Sequence, residues 1–134
     1  MPGIEQLDDL FDQTRAAGLA VSCTIEGEPR PLAGGAALAA YRIIQESLTN
    51  TRKHAGPFAQ ASVLLRYSPD AVELVISDNG IGSAAACDGA GHGLTGMRER
   101  AALYGGSVSA EPVPGGGFRV TARLPAGPVQ AGAA

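Results

Sequence analysis

Glu46, Asn50 and His54 recur at every fourth position of the segment ESLTNTRKH, placing a carboxylate, an amide and an imidazole in one series. At about 100° per residue, three such positions advance by only about 40° per step, so on a helix they form one ridge. Lys53 lies beside it. Tyr41, Ile44, Leu48 and Ala55 fall on roughly the opposite side and read as a core stripe. A helix built this way presents either a solvated polar face or one wall of a ligand cleft, and both readings stand at this point.

A second constellation is Asp78-Asn79-Gly80-Ile81-Gly82, placed where a strand pattern ends. A carboxylate accepts hydrogen bonds only, so it can select an exocyclic amine such as that of adenine. Gly80 and Gly82 would let a ligand approach the backbone. The plainer alternative is a tight turn that uses Asp and Asn for their turn chemistry. The third constellation is GAGHGLTGM, residues 89–97, running into a helix. Amides at a helix N-terminus flanked by glycines suit phosphate oxygens, although Gly-X-Gly also serves as a hinge. No G-K-[ST] follows, so this is not a Walker loop, and no strand leads directly into it as a dinucleotide fingerprint requires.

The elements that must position these groups follow from periodicity. Ile4, Leu7, Leu10 and Phe11 carry a helical period that stops at Gly18. Leu19, Val21, Cys23 and Ile25 alternate as a half-buried strand, and a long helix spans about Ala36 to Ala55. Ala61 to Tyr67 and Val72 to Ile76 form a hairpin around Ser68-Pro69-Asp70. Residues 83–93 read as a mobile small-residue lid, a helix restarts near Leu94, and strands follow at Val108 and Phe118 to Leu124. The expected fold is α+β, a two-layer sandwich with a mixed sheet of about five strands covered on one face by three helices. The expected organisation is one domain over residues 1–126 with a disordered tail at 127–134.

Composition narrows the classes. In 134 residues, 45% are hydrophobic but only 4% aromatic, so the core is built from aliphatic and small side chains. A net charge of −3 gives no global attraction to nucleic acid or anionic membrane. Cys23 and Cys87 have neither CxxC nor metal-ligand spacing, so Cys23 is expected as a small buried residue and Cys87 as a loop thiol. With no apolar run of 18 residues and no secretory leader, the expected location is the cytoplasm, whether or not a longer protein is anchored through other segments.

Taken in order, the three constellations resemble the ATP-binding catalytic domain of sensor histidine kinases, in the superfamily that also holds gyrase, Hsp90 and MutL. YRIIQESLTNTRKHAG is similar to that family's asparagine box, SDNGIGS to its first glycine box, and GHGLTGMRERAALYGG to its second. The last segment, with PVPGGGFRVTARLP after it, is closest in wording to the branch paired with LuxR-type response regulators. The similarity covers about residues 19 to 125.

The resemblance implies a Bergerat-type ATP-binding fold and a set of roles. Asn50 would hold Mg²⁺ bridging the ATP phosphates, and Glu46 would orient or deprotonate the attacking group. Lys53 and His54 would lie near the phosphates, and Asp78 would read the adenine amine above Gly80 and Gly82. Gly91, Gly93 and Leu94 would form the lid hinge and a phosphate contact, with His92 and Thr95 counted in the same nucleotide site. Capping the last helix is the plainer role for Thr95. The implied ligands are ATP, ADP and Mg²⁺. The implied partner is a phosphoacceptor histidine hairpin of the same kinase, with a response regulator downstream and no nucleic acid or membrane contact. A threonine frequent in the family after the final glycine is replaced here by Phe118, and the lid is short. No acceptor hairpin is recognisable before Ile4, so the chain is expected to work on an acceptor held elsewhere. Two other readings share the features: an anti-sigma-type serine kinase, and a nucleotide-binding regulatory module that transfers no phosphate.

Overall fold

Alternating burial along three strands organises the molecule. Ala61, Val63, Leu65 and Tyr67 are buried while Ser62 and Arg66 between them are exposed. In a computed structural model that describes residues 6–28, 32, 34–54, 59–79, 91–113 and 117–125, these residues belong to a five-stranded sheet. The described elements run α1 (Leu7–Ala16), β1 (Ala20–Glu26), α2 (Gly34–His54), β2 (Gln60–Ser68), β3 (Ala71–Asp78), α3 (Gly91–Leu103), β4 (Ser107–Pro112) and β5 (Phe118–Pro125). Strand order is β1-β2-β3-β5-β4, with β1 parallel to β2 and every other pair antiparallel.

Register carries one apolar face across the sheet. Leu65 pairs with Leu74 and Leu74 with Ala122, while Val63 pairs with Ile76 and Ile76 with Val120. All six are buried, and they meet Ile43, Ile44, Leu48, Met97 and Ala101 from the helices in one core. Charged rungs cross the uncovered face, where Arg66 pairs with Glu26 at 3.0 Å and with Glu73 at 3.0 Å. Among the described residues, the architecture expected from periodicity, a mixed five-stranded sheet under three helices, is the one observed.

Local chemistry explains the element ends. α1 buries Leu7, Leu10, Phe11 and Thr14, and stops at Gly18, whose φ of 108° an L side chain rarely adopts. Arg15 then turns back and donates from Nε and Nη2 to the Val21 carbonyl at 3.1 and 2.9 Å, tying the helix to the first strand. The β2–β3 turn is held by Ser68 Oγ donating to the Ala71 carbonyl at 3.0 Å.

Three expectations are corrected. Cys23 is exposed, because β1 is an edge strand and the cover over its start at Val21 does not extend to Cys23 or Ile25. Partial desolvation, and then the charge of Asp8, still hold its thiol above the ordinary pKa. Second, the buried arc of α2 runs through Ala36, Ala40, Ile43, Ser47 and Thr51 as well as Ile44 and Leu48, with Tyr41 only half-buried. Asn50 stands about 60° round the helix from Ser47, so the polar ridge borders the core instead of opposing it. Third, α3 begins at Gly91, not near Leu94. Thr95 is therefore inside the helix with an exposed side chain and cannot be its N-cap. Glycine is a weak helix former, costing about 1 kcal/mol relative to alanine at an interior position such as Gly96, and burial of Met97 and Ala101 against the sheet and α2 offsets that cost. The tail at 127–134 and residues 83–90 of the expected lid lie outside the described residues.

Candidate functional site

Asp78 is the last residue of β3, and two-residue alternation from Leu74 and Ile76 points its side chain to the helix-covered face. It is half-buried there, in a cross-sheet row with Ala61 of β2 and Phe118 of β5. α2 passes over this end of the sheet, and Thr51 Oγ1 lies 3.1 Å from Asp78 Oδ2. The same hydroxyl is 3.0 Å from the Ser47 carbonyl one turn back. Ser47 Oγ donates to the Ile43 carbonyl at 2.8 Å and sits 3.6 Å from Met97 Sδ, which fastens α3 to α2. Buried hydroxyls thus form a seam between the two helices and the carboxylate.

Glu46 and Asn50 are half-buried on the flank of α2 that adjoins this seam, while Lys53 is exposed further round. The backbone of His54 closes α2, and those of Gly91, His92, Gly93 and Leu94 form the first turn of α3. That turn carries no acidic residue, so no carboxylate of its own offsets the positive end of the helix dipole. Gly80 and Gly82, the predicted floor under a base, lie outside the described residues, as do the side chains of His54, His92 and Leu94. Among the described residues no cluster of three or more His, Cys, Asp or Glu could hold a metal alone. None of the described helices is long and apolar enough to cross a membrane.

The structure adds three residues that sequence reasoning left unassigned. Thr51 is the first; its only sequence signal is a hydroxyl four residues after Ser47 on the buried side of a helix. Asn79 is the second, and its side chain accepts from the Gln60 amide at 2.7 Å while its own amide donates to Gln60 O at 3.2 Å. These two bonds pin the end of β3 to the start of β2. Gly117 is the third. It has a φ of 105°, and a Cβ built there would run into the Asp78 carbonyl. Gly117→Ala is therefore expected to cost about 1–3 kcal/mol from backbone strain alone and to displace Asp78 as well. Thermal unfolding and ATP titration check this, and an unchanged melting temperature would contradict the close approach.

Comparison with known proteins matches this arrangement to one family. The family described as "Histidine kinase-, DNA gyrase B-, and HSP90-like ATPase" matches residues 35–128. The sensor histidine kinase LnrJ of Bacillus subtilis is 34% identical over 122 residues, covering 90% of this chain and 30% of that protein. The signal transduction histidine-protein kinase/phosphatase UhpB of Salmonella typhimurium is 40% identical over 86 residues, 63% of this chain and 16% of that protein. The chain thus spans less than a third of the length of these relatives. Among solved structures, the catalytic domain of histidine kinase ThkA superposes with a TM-score of 0.72 at 14% identity, covering 94% of this chain and 93% of that one. The mycobacterial sensor histidine kinase MprB gives 0.66 at 20% identity, covering 92% and 95%. Those two likenesses concern the fold. With the family match spanning both the α2 ridge and Asp78, the chain belongs to the histidine kinase, DNA gyrase B and HSP90-like ATPase family, as an ATP-binding catalytic domain of the sensor histidine kinase type.

Proposed function

We propose that this domain seats the adenine of ATP on Asp78 and its phosphates between the α2 ridge and the start of α3, and donates the γ-phosphoryl group to a histidine on a separate helical hairpin. A response regulator, of the LuxR type by the wording of the second glycine box, would then receive it. The observation that carries this reading is the placement of Asp78: a half-buried carboxylate on the covered face, braced by a helix hydroxyl, inside the family match. An acceptor-only group in that position favours an amine over an oxo group on a purine. Gly80 and Gly82 would lie under the base, and Lys53 and His54 near the phosphates. The amides from Gly91 to Leu94 suit phosphate oxygens, with His92 and Thr95 on the same turns.

The donor set fits Mg²⁺. That ion keeps several waters and takes few protein oxygens beside phosphates, and a half-buried amide with a half-buried carboxylate one turn away offers such a partial set. Asn50 would hold it, and a bound Mg²⁺ would neutralise charge on the phosphate oxygens. Asn50→Ala is expected to abolish the metal dependence of ATP binding and leave metal-free ADP affinity nearly unchanged. Calorimetry with and without chelator checks this, and a collapse of metal-free ADP binding would make Asn50 structural. Glu46 would orient the attacking imidazole and take its proton through water.

Incubation with γ-labelled ATP tests the function. The chain alone should gain no stable phosphohistidine, whereas a supplied hairpin bearing the acceptor histidine should be labelled. A labelled partner serine would support the serine-kinase reading. ATP binding with no transfer to either would leave a regulatory module.

A further inference from the structure

Two residues placed against Asp78, Phe118 of β5 and Thr51 of α2, differ in what they offer it. Phe118 stands directly opposite in β5 and has no polar side-chain atom. Thr51 reaches over from α2 with its hydroxyl 3.1 Å from Oδ2. A hydroxyl carries one proton, and the Ser47 carbonyl lies 3.0 Å from the same oxygen. Both neighbours are acceptors, so they compete for that proton. The Ser47 carbonyl already has the Thr51 amide as its helical partner, and a bond to a carboxylate is roughly twice as strong as one between neutral groups. The charged carboxylate therefore wins the proton.

This bond matters because χ2 of aspartate has a broad, nearly two-fold potential. Rotamer preference alone does not set the plane of the carboxylate. The rotamer of Thr51 is itself restricted by β-branching and by burial, and it keeps Oγ1 over the Ser47 carbonyl. That makes it a fixed reference for Oδ2.

We infer that Thr51 is a positioning residue for base recognition: its hydroxyl sets the carboxylate plane of Asp78, a task the apolar Phe118 across the strand pair cannot perform. This rests on Asp78 reading the purine amine. The test compares ATP with purine riboside triphosphate, which lacks that amine, by calorimetry on the whole chain. The native chain should prefer ATP. In Thr51→Val, ATP affinity should fall about tenfold, the size of one hydrogen bond to a charged group, while the amine-free analogue binds as before. Thr51→Ser should keep the native preference. Equal losses for both ligands, or an unchanged ratio, would overturn the inference and leave Thr51 a packing residue. Should Thr51→Val not fold, Thr51→Ser and Thr51→Ala share the lost methyl and differ only in the hydroxyl. Their ATP preference must then differ, and identical preferences would overturn the inference equally. No preference in the native chain would instead remove the assignment of Asp78 to the base, and this inference with it.

Discussion

Replacing Glu46 with glutamine is expected to slow phosphoryl transfer to a supplied histidine hairpin by about 100-fold or more, the range of a lost general base. ATP affinity should move by less than about threefold, since a shape-preserving change leaves binding contacts in place. The reasoning starts from α2. Glu46 is one turn before Asn50 and half-buried where the polar flank meets the core. Among the described residues it makes no ion pair, so no structural task competes for its carboxylate. Glutamine keeps the shape and removes the capacity to take a proton, which separates the chemical step from binding. Single-turnover transfer rates set beside calorimetric affinities give both numbers. A variant that loses ATP affinity and rate in proportion would place Glu46 among the binding groups, and one that loses neither would remove it from the site.

How much of this was legible in the sequence depends on the range of each signal. The α2 ridge, the DNG turn and the glycine-rich helix start are each contained in a short window, and their order alone carries the resemblance to the family. Strand alternation was legible for the same reason: Ala61 to Tyr67 and Val72 to Ile76 need only a period of two. Contacts between windows were not legible. Thr51 and Asp78 are 27 residues apart, and nothing local marks one as the partner of the other. Phe118 departs from the family's wording in the sequence itself, but its position opposite Asp78 comes from strand register. The exposure of Cys23 depends on β1 being an edge strand whose cover stops short, which alternation cannot reveal. The sequence places the start of α3 three residues late because glycine argues against helix locally, while Met97 and Ala101 anchor the helix from its middle.

Asp78→Asn is expected to reverse the purine preference, with ATP affinity falling about 100-fold, or about 2.7 kcal/mol. The direction follows from Thr51. Its hydroxyl donates toward the Oδ2 position, and an asparagine there would turn its carbonyl oxygen to that donor. The amide nitrogen would then face the ligand and present two N–H groups where the native chain presents an acceptor. The adenine amine would meet donors, whereas the oxo group of guanine would find a partner. GTP should therefore bind this variant as well as ATP or better, whereas the native chain is expected to prefer ATP. Thr51 makes the reversal conditional. In the double variant Asp78→Asn with Thr51→Val, no hydroxyl holds the amide oxygen, both flips become available, and the reversed preference should fade. Calorimetry with the two nucleotides on four proteins gives the full cycle. A reversal that persists at full strength without the Thr51 hydroxyl would mean that another group orients residue 78. An Asp78→Asn variant with the same ATP preference as the native chain would place adenine recognition on other residues.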